Sequence, residues 1–172
     1  MPVRLKPQDV VLALKLVAIG REGWTQPALA KALHVSAAEV NHGLKRLAAC
    51  HLYLPRERRI VRANLQEFLV SGLRYVFPAE VGGEGAGLPT AHSAPPLAAK
   101  VRAGAEAALV WPSVEQTGVR GRAVSPLYPS APRAAADDGR LHELLALADG
   151  LRIGRARERA LAREALERHF SA

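Results

Sequence analysis

The sequence predicts a mainly α protein: a basic helical N-terminal region, a Pro/Gly-rich extended segment, and a pair of C-terminal helices. Three observations carry that prediction. Of the 172 residues 49% are hydrophobic but only 5% aromatic, with Ala and Leu dominant, which favours helices packed on small residues over a β-sandwich. Apolar residues recur at helical spacing before Pro78 and again after Ala136. Between them, 59 residues hold eight prolines and seven glycines, enough to break helical and strand periodicity alike.

The first helix opens at Pro7 and lines one face with Val10, Val11, Leu14, Val17 and Ala18, ending near Gly20–Gly23. Thr25 is the expected N-cap of a short second helix carrying Leu29, Ala30 and Leu33, with Pro27 tolerated in its first turn. Trp24, just before that cap, is read as a packing staple onto the second helix, and Trp111 as a packing anchor further along. A tight turn at His34–Val35 leads to Ser36-Ala37-Ala38-Glu39, a capping box that opens a third helix with Val40, Leu44 and Leu47 in its apolar stripe. Leu52–Leu54 and Ile60–Arg62, around the polar turn Pro55–Arg59, read as a small β-hairpin. Asn64 is the expected cap of a helix with Leu65, Phe68, Leu69, Leu73 and Val76, stopped by Pro78. Residues 78–136 are expected to wrap over a folded surface, with anchors at Val110-Trp111, Val114, Val124 and Leu127-Tyr128, and a short helix over Leu97–Leu109. Asp137 and Asp138 cap a helix with Leu141, Leu144, Leu145, Ala148 and Leu151, and a last helix runs from Arg155 to Phe170 with Glu164 and Arg168 paired.

The order helix, helix, tight turn, capped helix, hairpin, helix is the winged helix-turn-helix arrangement. The stretch Leu29-Ala30-Lys31-Ala32-Leu33-His34-Val35-Ser36-Ala37-Ala38-Glu39-Val40, continuing to Leu44-Lys45-Arg46-Leu47, resembles bacterial MarR-type and related winged-helix regulators. Their pattern is Leu-Ala-x-x-Leu-Gly-Val-Ser-x-x-x-Val, then Leu-x-x-Leu, and the likeness covers about residues 8–77. This chain departs from it at His34 and His51, where the family usually has glycine. Histidine is among the residues that tolerate a left-handed backbone, so the turns survive with some strain. Tyr75–Glu80, Pro89–Ala91, Ser93–Leu97 and Ser125–Pro129 also resemble a poorly characterised bacterial winged-helix group associated with abortive-infection nucleotidyltransferase toxins. That second resemblance implies a regulator or an antitoxin-like role.

With Val40, Leu44 and Leu47 buried, the third helix presents Ala38, Asn41, His42 and Lys45, flanked by Ala37 and Arg46. Small residues near the helix start permit close entry into a major groove. Asn41 suits an adenine edge and Lys45 a guanine or phosphate, while Ser36 and the helix N-terminal amides suit a phosphate. Arg56, Arg58 and Arg59 at the hairpin tip are placed to reach the neighbouring backbone or minor groove. Charge supports this reading: of the formal net +8, residues 1–78 carry +7, residues 79–136 carry +1, and residues 137–172 are balanced.

Other chemistry finds little footing. Gly82-Gly83-Glu84-Gly85-Ala86-Gly87-Leu88 lacks the Lys-Ser/Thr of a phosphate loop, and Leu88 stands where a dinucleotide fingerprint needs its third glycine, so a structural loop is expected there. Thr90, His92 and Ser93 are not a nucleophile elbow, and Asp137, Asp138 and Glu143 are read as helix N-terminal charges rather than a catalytic pair. A lone Cys50 excludes an internal disulfide, and His34, His42 and His51 do not form a metal-ligand spacing. Val10–Leu14 is far short of a membrane span, and no signal peptide is visible.

The expectation is therefore a non-enzymatic, cytoplasmic protein without cofactor or metal, in three parts. Residues 1–77 form a winged helix-turn-helix that binds double-stranded DNA, residues 78–136 an extended segment, and residues 137–172 a helical pair for dimerisation or partner binding. The expected function is sequence-specific transcriptional regulation as a repressing homodimer, paired through the apolar faces of its C-terminal helices. The alternative is an antitoxin-like or adaptor protein that holds a toxin or other partner through its C-terminal half.

Overall fold

The computed structural model describes residues 2–101 and 107–172. Among the described residues it has eight helices and a small closed sheet. Helix α1 (Pro7–Ile19) is buried along most of its length, and the carboxylate of Asp9 accepts the Lys6 backbone N–H at its start. Helix α2 (Gln26–Leu33) begins at the Thr25 cap, whose Oγ1 accepts the Ala28 N–H at 3.2 Å. Helix α3 (Ala37–Ala49) begins at the Ser36–Glu39 capping box, with Glu39 Oε2 accepting Ser36 N–H at 2.8 Å and Ser36 Oγ accepting Glu39 N–H at 3.1 Å. A short hairpin follows, with strands β1 (Tyr53–Leu54) and β2 (Arg59–Ile60) paired Tyr53 to Ile60. His34 and His51, the two positions read as glycine substitutes, have φ of 54° and 60°, the strained left-handed turns expected of them.

The next helix differs from expectation at both ends. Helix α4 (Arg62–Ser71) starts from Val61, and Asn64 is not its cap: Asn64 Nδ2 donates to His51 O at 2.8 Å, holding the turn after α3. Gly72 interrupts the helical run, α5 (Leu73–Val76) is a separate turn, and Val76 lies exposed rather than on the apolar side.

The larger difference is in residues 78–136. The glycine stretch expected to be a loop is strand β3 (Val81–Pro89), antiparallel both to β4 (Leu109–Pro112) and to β5 (Val119–Val124), while β4 and β5 pair in parallel to close the sheet. Gly87 of β3 and Gly121 of β5 answer a steric demand. A Cβ on Gly87 would sit 1.7 Å from Trp111 O, and one on Gly121 would sit 2.2 Å from Ala108 O, so three strands close this tightly only where side chains are missing. The helix expected over Leu97–Leu109 is a single 3-10 turn at Leu97–Ala99 and then strand β4 from Leu109, with residues 102–106 outside the described residues. Helix α6 (Ala131–Ala136) closes the segment.

Helix α7 (Gly139–Ile153) is capped by Asp138, which accepts the N–H groups of Arg140 and Leu141 at 3.0 and 3.1 Å; Asp137 instead faces His34 at 3.4 Å. Helix α8 (Ala156–Ser171) carries the expected Glu164–Arg168 pair at 2.6 Å. Residues 144–152 of α7 are all buried, and its neighbours include α1, α5, α6 and α8, so one continuous core joins the N-terminal helices to the C-terminal ones.

Buried polar bonds tie the sheet to α7. Asp149 accepts from Thr90 Oγ1 and Trp111 Nε1 at 2.7 Å each, and from Arg152 Nη1 at 2.8 Å. Burial pushes its carboxyl upward, opposed chiefly by Arg152 and Thr90. Arg152 also donates to Phe77 O, Pro78 O and Ser125 O, clasping the chain where it enters and where it leaves the sheet. No helix among the described residues is long and apolar enough to cross a membrane.

Candidate functional site

Helix α3 has three faces, each set by spacing. Val40, Leu44 and Leu47 point into the core. Glu39, Gly43 and Arg46 lie toward the start of α1 and the segment before α6. There Arg46 Nε and Nη2 each donate to Asp9 at 2.7 Å, a bidentate pair whose carboxylate is fully buried. Asp9 holds the Arg46 guanidinium above its ordinary pKa through that hydrogen bond. Arg46, counted from sequence as flanking the DNA face, is thus committed inward and fixes α3 on α1.

The third face is open. Ala37, Ala38, Asn41, His42 and Lys45 are all exposed, on successive turns of one side, and Ser36 stands exposed at the helix start with its hydroxyl engaged in the capping box. Glu39 at that start is also held from the far half of the chain: Tyr128 donates its hydroxyl to Glu39 Oε1 at 3.0 Å, and Ser130 Oγ donates to Leu33 O at 2.7 Å. The Ser36 N–H and then the Tyr128 hydroxyl keep the Glu39 carboxyl below its ordinary value, and the same bond holds the Tyr128 phenol above its own. The start of α3 is therefore pinned from both directions in sequence.

The hairpin stands beside the open face. Asn41, Lys45 and Ala48 share a groove of about 560 Å3 with Trp24, Tyr53, Pro55 and Arg58. Arg56 and Arg59 are exposed at the tip, Arg59 paired with Glu57. Arg58 is exposed but turned back: its φ is 50°, its Nη2 donates to Trp24 O at 2.7 Å, and its guanidinium sits 4.3 Å from the Trp24 ring centroid. Trp24 is thus a half-buried support for the hairpin.

Sequence reasoning found the residues of the open face but missed what surrounds them. Trp24 and Tyr53 had no visible part in the site, and Asp9 and Tyr128 lie 37 and 89 residues from their α3 partners, beyond any local pattern. Among the described residues no group of three or more His, Cys, Asp or Glu is placed to hold a metal ion. Set against known proteins, the chain matches no family model, no curated protein and no solved structure.

The leucines of α7 that were to form a dimer seam are consumed inside the molecule, so hydrophobic demand on α7 gives no reason for pairing.

Proposed function

We propose that the protein is a winged helix-turn-helix regulator that reads double-stranded DNA with the open face of α3 and grips the backbone with the hairpin. The observation that carries this reading is that face itself: small Ala37 and Ala38 at a capped helix start, then Asn41, His42 and Lys45 in line, beside an arginine-tipped hairpin. In this reading Asn41 and Lys45 contact base edges, the α3 N-terminal amides beyond Ser36, whose own N–H is held by Glu39, meet a phosphate, and Arg56 and Arg59 contact the flanking backbone. Arg58 acts by stiffening the hairpin on Trp24, and Arg46 by holding α3 in register on α1. The regulator is a cytoplasmic repressor working as a homodimer, because one short helix reads few base pairs. Its pairing surface would lie away from the α7 leucines.

A second reading, an antitoxin-like or adaptor module, draws support from Tyr75 and Val76, adjacent side chains 76% and 54% exposed, as a small apolar contact for a partner protein. Fluorescence anisotropy separates the two. The wild-type protein is titrated against a labelled duplex from its own upstream region and against a scrambled duplex, at two salt concentrations. Preferential, salt-dependent binding to the native duplex supports the regulator. Equal affinity for both duplexes, with a neighbouring gene product co-purifying, sinks it.

A further inference from the structure

A second, larger groove lies on the other flank of the hairpin. It occupies about 970 Å3 between the end of α1, strand β2, the start of α4, the start of α7 and the end of α8. That is the upper end of the volume usual for small-ligand sites. The groove shares only Trp24 and Arg58 with the groove beside Asn41 and Lys45, so those two residues form the wall between them.

Its chemistry is one-sided. Arg21, Arg58, Arg59, Arg62 and Arg140 line it with a single acid, Glu22, whereas the whole chain has 24 basic residues to 16 acidic; the local excess is out of proportion to the general one. These arginines come from four separate segments and converge on an apolar floor that includes Val17, Ile60 and Phe170. Three have internal duties: Arg58 on Trp24, Arg59 on Glu57, and Arg62 donating Nη1 to Phe170 O and Ala172 O at 2.9 and 3.0 Å. The guanidinium groups of Arg21 and Arg140 have no hydrogen-bond or ion-pair partner among the described residues. Like charges gathered in a concave, partly apolar site raise the local positive potential, and an anion that enters relieves their repulsion. Guanidinium forks match the oxygens of a phosphoryl group, and the apolar floor suits the body that carries it.

We infer that this groove binds the phosphates of a nucleotide-sized ligand, with Arg21 and Arg140 as the free anion-binding forks and the Val17, Ile60 and Phe170 floor beneath the organic part. The inference does not need the DNA reading, since the groove holds none of the open-face residues of α3. A ligand seated against Trp24 and Arg58 would, however, sit on the shared wall and so reach the hairpin.

The test is calorimetric titration of the full chain with ADP, with inorganic pyrophosphate, and with adenosine as the uncharged control, repeated on the double variant Arg21→Ala, Arg140→Ala. Both replaced side chains are exposed and unpartnered, and an unchanged thermal midpoint would confirm that the variant folds. The inference expects saturable binding of ADP and pyrophosphate, none of adenosine, weakening with salt, and a loss of at least tenfold in the double variant. It is overturned if neither anion binds saturably or if the double variant binds them as well as wild type. It is equally overturned if only duplex DNA binds in an Arg21- and Arg140-dependent way, because the groove would then extend the duplex contact.

Discussion

Replacing Asp149 by Ala tests how the three-stranded sheet is held to the helical core. The substitution removes one acceptor from three buried donors, Thr90 Oγ1, Trp111 Nε1 and Arg152 Nη1. The Arg152 side chain is 3% exposed, and stranding a buried charge costs about 3–5 kcal/mol. Each neutral donor left unpaired adds about 1–3 kcal/mol. These contributions are not additive, because Arg152 keeps its bonds to Phe77 O, Pro78 O and Ser125 O and the space left by the carboxylate admits water. The expected net loss is therefore about 4–6 kcal/mol, a large part of the stability of a domain this size. Urea unfolding followed by tryptophan emission measures it, since Trp111 sits in the network. Asp137→Ala serves as the control: that side chain is 72% exposed, and the change should stay within about 0.5 kcal/mol. In a double-mutant cycle, Asp149→Ala combined with Arg152→Met should cost well under the sum of the two single changes. A loss below about 1 kcal/mol for Asp149→Ala, or strict additivity in the cycle, would refute the view of Asp149 and Arg152 as one unit.

Three further outcomes are expected. Gly87→Ala should break the sheet, because its Cβ would meet the Trp111 carbonyl, whereas Gly83→Ala, with nothing within 4 Å, should be close to neutral; thermal melts compare them. Asp9→Asn should release Arg46 and loosen α3, costing about 1–3 kcal/mol by denaturant titration while leaving the helix content of the folded state intact. For Asp138, burial acts to raise its carboxyl, but the Lys15 bond at 2.6 Å and the capped N–H groups outweigh it and the net shift is downward. Its contribution to stability is therefore complete above the ordinary carboxylate value and is lost as pH falls through the lowered one. Lys15→Met should move the onset of acid unfolding to higher pH by circular dichroism, and an unmoved onset would contradict the assignment.

How much of this was legible in the sequence depends on the range of the signal. Thr25, Ser36 with Glu39, and Asp138 announce their helices because a cap and its partner lie within three residues. The hairpin and the left-handed turns at His34 and His51 are local in the same sense. Strand β3 was hidden because Gly82–Gly87 carries almost no alternating apolar pattern, and the demand on Gly87 comes from a backbone approaching across the sheet, which only the fold reveals. The burial of α7 on every side from residue 144 to 152 was equally hidden, since an amphipathic reading assigns its polar Asp149 and Arg152 to solvent when they are satisfied inside. At the candidate site the open residues of α3 followed from periodicity, but Arg46 and Arg58 did not show their inward partners, one on another helix and one on a tryptophan 34 residues away.

The proposed function depends most heavily on α3 as the reading helix. The most direct measurement is the ratio of affinities for the native upstream duplex and a scrambled one, compared between the wild type and the Asn41→Ala, Lys45→Ala double variant at fixed salt. Both side chains are exposed, so the fold should persist. If α3 reads the bases, the ratio collapses toward one, with a loss of about 1–3 kcal/mol of discrimination per contact, while binding to the scrambled duplex changes little. A double variant that discriminates as well as the wild type would contradict it.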